Sequence, residues 1–362
     1  MPFEKFPTLI SCAIAVALAF ANSATWAADT APAPASTETQ SMPVLQPFSR
    51  ADLPKYTGDF DRFSYDVKSN RLFVAGEYTA TVEVFDLTTG AHQKSLTGFG
   101  KPQGFIVLPD QNRLIVADSR VGAKVLDATS YELLDTMTFR PGTNTMGYDH
   151  ATGHLFIQTG GAKGGMKESF FTAIDLKTRK QLGELKFDTD LLKAVAIEKN
   201  GRFLYTSVTG KDHIAVIDKT TFKIVKTFPV TVAAQPSPLA LDEANSRLFV
   251  ITRVPFKLVV LNTQTGATVA SFTAPERAND VQYDQANRRI YAAGDGFVSV
   301  VQQDNADSYR ELAPVPTLHG AKTAMLVPEL NRYYVAVAPG PGNFGGALLG
   351  FDVTPAGGAT AK

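Results

Sequence analysis

The chain has 362 residues, 44% of them apolar and 19% charged, with 35 lysines and arginines against 35 aspartates and glutamates. That is ample apolar surface for a packed core, and the neutral balance removes any overall electrostatic reason to expect a nucleic-acid or anionic-membrane partner. The single cysteine, Cys12, excludes an intramolecular disulfide, an iron–sulfur cluster and a Cys-x-x-Cys-His haem attachment.

In chain order, residues 1–27 read as a secretory signal. Lys5 stands in a short amino-terminal region, Leu9 to Ala21 is apolar, and Thr25-Trp26-Ala27 precedes the expected cut, with Ala21 the alternative. The apolar segment is too short for an ordinary transmembrane helix, and no later run approaches the roughly 20 residues needed. Leu9-Ile10-Ser11-Cys12 has the form of a lipobox, but most of the apolar segment follows Cys12, so this cysteine is expected to leave with the signal, as does Trp26. The protein is thus expected in the periplasm or secreted. Residues 28–42, rich in Ala, Pro and Thr, read as a flexible spacer.

From there a pattern repeats seven times, and Phe63 to Leu96 shows it whole. Phe63 to Asp66 is a first strand, Val67 to Asn70 a polar turn, and Leu72-Phe73-Val74 opens a second strand. Thr81 to Asp86 alternates as a third strand, and Thr88-Thr89-Gly90 turns the chain into a fourth, His92 to Leu96. The second-strand anchors begin at Arg71, Arg113, His154, Phe203, Arg247, Arg289 and Arg332, at intervals of 42, 41, 49, 44, 42 and 43. The third strand recurs as Val84-Phe-Asp, Val125-Leu-Asp, Ala173-Ile-Asp, Val216-Ile-Asp, Val260-Leu-Asn and Val300-Val-Gln. A four-stranded propeller blade takes about 40 to 50 residues. Such a blade buries its faces only against neighbours, and ring closure leaves only short edges. The expected fold is therefore all-β, a seven-bladed β-propeller of four-stranded antiparallel blades over residues 43–353, followed by a disordered tail, 354–362. Blade seven runs out after Phe351-Asp352, so the segment around Val44, Leu45 and Phe48 is expected to supply its outermost strand and close the ring.

Segments such as Ile214-Ala-Val-Ile-Asp-Lys-Thr-Thr-Phe-Lys-Ile-Val-Lys-Thr-Phe228 and Gly201-Arg-Phe-Leu-Tyr-Thr206 make residues 60 to 352 resemble the YVTN-repeat β-propellers. The likeness is to their exported YncE-like bacterial group, related to the fold of quinoprotein amine dehydrogenases. No blade carries a literal Tyr-Val-Thr-Asn. The resemblance implies a WD40-like architecture and little chemistry, because propellers host many unrelated functions.

His150 and His154 are the only histidines near each other, and a turn between strands does not bring that spacing to one face, so no metal site is expected. Gly160 to Lys167 lacks the Gly-Lys-Ser/Thr ending of a phosphate loop and reads as an enlarged loop between second and third strands, as does Pro339 to Gly346; both should project from one rim. Ten residues before each anchor stand Asp61, Gln103, Asn144, Lys193, Ser237, Asn279 and Lys322, all polar. Two positions later stand Phe63, Phe105, Met146, Val195, Leu239, Val281 and Ala324. The contrast predicts a polar channel mouth above a packed apolar layer, with Arg62, Arg277 and Asp280 adding charge. These seven polar residues are the candidate ligand-binding ring.

No catalytic residue can be named, because no general base stands beside a nucleophile, and no cofactor is predicted. The expected function is an exported, monomeric binding platform for a protein, peptide or small ligand on the loop rim and channel mouth. The enzymatic alternative is a lactonase-like hydrolase or the propeller subunit of a quinoprotein-type oxidoreductase. An enzyme should concentrate charge and perturbed acids at one spot in the channel, whereas a platform should present an extended rim.

Overall fold

The computed structural model describes residues 43–357; the expected signal, Cys12, the spacer and residues 358–362 lie outside them. Within that span the chain forms seven antiparallel sheets arranged as a propeller. Blade 1 comprises Phe60–Asp66, Arg71–Gly76, Thr81–Asp86 and His92–Leu96, from the channel outward. The following five blades repeat this order, and in blade 6 the long third strand, Phe297–Asn305, also pairs with Val315–Pro316. In blade 7 the three inner strands are Ala321–Val327, Arg332–Val337 and Gly346–Val353, and the fourth is the amino-terminal strand, Leu45–Leu53. It pairs antiparallel with Gly346–Val353, from Leu45 opposite Val353 to Leu53 opposite Gly346. The strand runs further than the segment expected from the sequence, to Leu53. Both of its end leucines are buried, Leu45 against blades 6 and 7 and Leu53 against blade 1.

The third strand alternates as expected, Val82 and Val84 to one face and Phe85 to the other, but both faces are covered. Val82, Glu83, Val84 and Phe85 are all buried, because each blade is covered on both faces. Val82 and Val84 pack toward blade 2 with Phe105 and Val116, while Phe85 packs toward blade 7 with Tyr334. Glu83 is tolerated there because Thr81, His92 and Ser95 hydrogen-bond to its carboxylate.

Two recurring residues hold the blades in shape. The aspartate closing the third strand accepts two backbone N–H groups of the turn that follows: Thr88 and Thr89 donate to Asp86 at 2.9 and 2.7 Å, Thr129 and Ser130 to Asp127 at 2.9 Å each, and Thr220 and Thr221 to Asp218 at 2.9 and 2.8 Å. Asn262 does the same in blade 5. A short acceptor side chain satisfies turn donors that would otherwise face only water. The arginine opening the second strand reaches a carbonyl of the next blade: Arg71 donates to Ala128, Arg247 to Ala306 at 2.8 Å, and Arg332 to Leu87 at 3.5 Å across the ring closure. The repeat anchors are thus a turn cap and an interblade clamp.

Candidate functional site

Each innermost strand starts at the same rim, and the second strand returns to it: Phe60 pairs with Gly76, Pro102 with Asp118, and Ala321 with Val337. Loops from second to third strands therefore share this rim with the starts of the innermost strands. The loop from Gly160 to Ser169 and the loop from Val337 to Gly346 both lie on it. Glycines in the first loop and in the connection before it serve packing. Gly142 has φ +87°, and a Cβ there would come within 2.2 Å of the Gly160 carbonyl; one on Gly161, φ +62°, would come within 2.4 Å of the Asp190 carbonyl. Pressed against both neighbouring loops, the segment carries Lys163 into the channel.

Of the seven candidate ring residues, six border one recess of about 400 Å³ at the channel mouth: Asp61, Asn144, Lys193, Ser237, Asn279 and Lys322. Gln103 does not border it; it is fully buried and accepts a hydrogen bond from the Lys163 ammonium. Backbone bonds to second-strand carbonyls hold the ring in place: Asn144 N–H to Gln158 at 3.0 Å, Lys193 to Ser207 at 3.1 Å, and Ser237 to Ile251 at 2.8 Å. Four functional residues of the recess were missed by the ring count, Glu77, Lys163, Thr209 and Arg253, and all come from second-to-third-strand loops.

The charges are arranged unevenly. Blade 1 contributes the carboxylates. Lys163 Nζ lies 3.4 Å from Asp61 and 3.2 Å from Glu77, which Lys101 also approaches at 3.1 Å. Asp59 takes Lys322 at 2.8 Å and Arg277 at 2.9 Å. Arg62 pairs with Asp280 at 3.5 Å and donates to Thr145 at 3.3 Å, while Thr323 donates to Asp280. Asn279 donates to Asp61 at 2.9 Å. Burial pushes the Asp61 carboxyl up, but Lys163, Arg62, Lys322 and Lys193 together outweigh it and hold it below the usual range. For Asp280 burial wins, and its carboxyl is raised despite Arg62. On blades 4 and 5, opposite blade 1 in a seven-membered ring, Lys193 and Arg253 have no carboxylate within ion-pair distance among the described residues. Arg253 makes only long contacts, 3.4 Å each, to Ser237 Oγ and Asn279 Oδ1. Burial, reinforced by Lys163, Arg62 and Arg253 and opposed by Asp61, pulls the Lys193 amine down to about 8.

Arg62 also borders a second, smaller cavity of about 190 Å³ together with Asp280. Phe63, Phe105, Met146, Val195, Leu239 and Val281 line it, so the expected apolar layer is there but encloses space rather than filling the channel. The Arg62–Asp280 pair marks the boundary between the recess and this cavity. Elsewhere, His150 is exposed and His154 is part-buried on the strand opposite Asp149. No group of three or more His, Cys, Asp or Glu able to hold a metal occurs among the described residues. None of their helices is long and apolar enough to cross a membrane.

The rim around the recess carries exposed apolar side chains on four second-to-third-strand loops: Tyr78 at 66%, Val121 at 40%, Val254 at 55% and Phe344 at 97% exposure. Tyr78 also borders the recess, with Lys101 Nζ 4.9 Å from its ring centre.

No protein-family model matches the chain, and no curated protein matches it. Among solved structures, 1600 chains match, so the likeness is to a widely shared architecture. One is a chain of the "Crystal Structure of Mitotic Checkpoint Complex", with a TM-score of 0.70 and 15% identity, covering 92% of this chain and 99% of that one. At that identity the likeness is one of fold.

Proposed function

We propose that this propeller is an exported, monomeric binding platform of the YVTN-repeat type, a WD40-like scaffold that receives its partner on the channel-mouth face. The observation that carries this reading is the coincidence, on one rim, of four exposed apolar side chains with the charged recess. Apolar groups ringing a polar depression are the composition expected of an interaction surface. The likeness to a chain of a multiprotein complex is in keeping with it. A photo-crosslinking amino acid placed at Tyr78 or at Phe344 should give a discrete adduct in the cell envelope. The same residue at Val67, in a turn on the opposite rim, should give none. Equal labelling at both rims, or none at either, would refute the mouth-face assignment.

The hydrolase alternative has one observation in its favour, the concentration of charge in the channel with an amine near 8. Against it, the carboxylates of the recess are committed to ion pairs, and no nucleophile there is bonded to a base. A lactone-hydrolysis assay decides it: turnover abolished by Lys193→Met would favour the enzyme.

A further inference from the structure

The channel-mouth recess has more cation than it can pair. Five cationic side chains border it, Arg62, Lys163, Lys193, Arg253 and Lys322, against the carboxylates of Asp61 and Glu77. Those two carboxylates and counter-charges just outside account for three of the five. Lys163 takes Asp61 and Glu77, Lys322 takes Asp59, and Arg62 takes Asp280. Lys193 and Arg253 remain, on adjoining blades, and the ammonium of Lys193 makes no hydrogen bond to any described residue. Two part-buried cations bordering one recess repel each other and raise the free energy of the empty recess. An anion between them would relieve that repulsion.

Other features of the recess narrow the ligand. Its volume, about 400 Å³, lies within the roughly 300 to 1,000 Å³ of small-molecule sites. Neutral groups stand beside the two free cations: Asn144, Gln235, Ser237 and Asn279, able to donate and accept hydrogen bonds. A side pocket of about 90 Å³ opens between blades 3 and 4, sharing Asn144, Lys163 and Lys193 with the recess. There Gln158 Oε1 and Thr159 Oγ1 are buried without a hydrogen-bond partner. Buried polar atoms are rarely left unpaired, and here both can accept from a hydroxyl. The carboxylates across the channel, on blade 1, disfavour a second anionic group at that side.

We infer that the recess binds a small hydroxylated organic anion, its one carboxylate or phosphate group held between Lys193 and Arg253 and its hydroxyls on the neutral ring and in the side pocket. The inference rests on the mouth-face reading and names the chemistry of that face. Binding depends on the charge of Lys193, which Lys163, Arg62, Arg253 and Asp61 surround, so affinity falls as pH rises from 7 to 9.

The test is calorimetric titration of the full mature chain with gluconate, glucose 6-phosphate and uncharged glucose at low ionic strength. At least one anion should bind at pH 7 and glucose should not. The tighter of the two anions assigns the head group as carboxylate or phosphate. Lys193→Met and Arg253→Met, which remove charge while keeping bulk, should each weaken binding at least tenfold, with melting curves reporting that each variant is folded. Binding of neither anion, equal binding of glucose, or unchanged affinity in both variants overturns the inference. So would Lys193-dependent binding of a Glu-rich peptide with no response to either small anion. Loss of the anion with retained crosslinking at Tyr78 and Phe344 would sink this inference alone; loss of the crosslinks would sink the mouth-face reading.

Discussion

Lys193 and Lys163 are both lysines at the mouth of one channel, and the structure gives them opposite energetic signs. The Lys193 amine is drawn from 10.5 to about 8 by burial and like charges. Its folded pKa lies below its unfolded value, so the charged form is the one the fold disfavours. The cost is present in full below about pH 8 and fades as pH rises toward the unfolded pKa. Lys193→Met should therefore be more stable than wild type at pH 7, by about 1–3 kcal/mol once partial exposure is allowed for, and equal to it near pH 10.5. Urea midpoints at the two pH values check this; a variant weaker at pH 7 would show that the amine is stabilised by its surroundings. Lys163→Met should behave in reverse. It leaves Asp61 without an ion-pair partner among the described residues, while Glu77 keeps Lys101 at 3.1 Å, so the variant should lose up to about 3–5 kcal/mol, the cost of breaking a buried pair. Residues that cost stability where they stand are what a ligand site retains. Six of the seven ring positions in the recess were legible because the innermost strand has a fixed length back from each anchor. Glu77, Thr209 and Arg253 were equally regular, each six residues beyond its anchor, but only knowledge that both loop sets meet at one rim makes that count meaningful. Lys163 sits nine beyond, in an enlarged loop, and no spacing rule reaches it.

Among the elements, the amino-terminal strand has the largest consequence for its length. It supplies the whole outer edge of blade 7 and buries Leu45 and Leu53 against different clusters. Deleting residues 43–50 should lower the melting temperature sharply, and Leu45→Ala alone should cost about 2–5 kcal/mol by its cavity. An unchanged melt for the deletion would mean the ring holds without it. This closure was readable in the sequence, since blade 7 ended one strand short and Val44, Leu45 and Phe48 stood unclaimed upstream. The repeat itself was readable because turn-capping Asp86, Asp127 and Asp218 recur in blades 1, 2 and 4 and clamping Arg71, Arg247 and Arg332 in blades 1, 5 and 7. Burial is where the sequence misleads: Val82 to Phe85 alternate in facing, yet Glu83 is buried as deeply as Val82 and Val84 because Thr81, His92 and Ser95 hydrogen-bond to its carboxylate.

In the whole molecule, seven sheets share one axis and one mouth, so charges from blades distant in sequence meet. Lys163 reaches Asp61 and Arg277 reaches Asp59 with only the ring to hold them together. The way the ring is fastened also sets how it yields to force. Leu45 lies opposite Val353, and Thr354 donates its N–H to the Val44 carbonyl at 2.9 Å, so both ends of the ring leave the closing pair on the same side. Tension between them would open the antiparallel ladder from Leu45 toward Leu53 one bond at a time, like a zipper, rather than loading all its bonds together in shear. The ring should therefore part at low load when pulled by residues 43 and 354. Single-molecule traces should show blade 7 yielding first, and a high first-rupture force would contradict the zipper geometry.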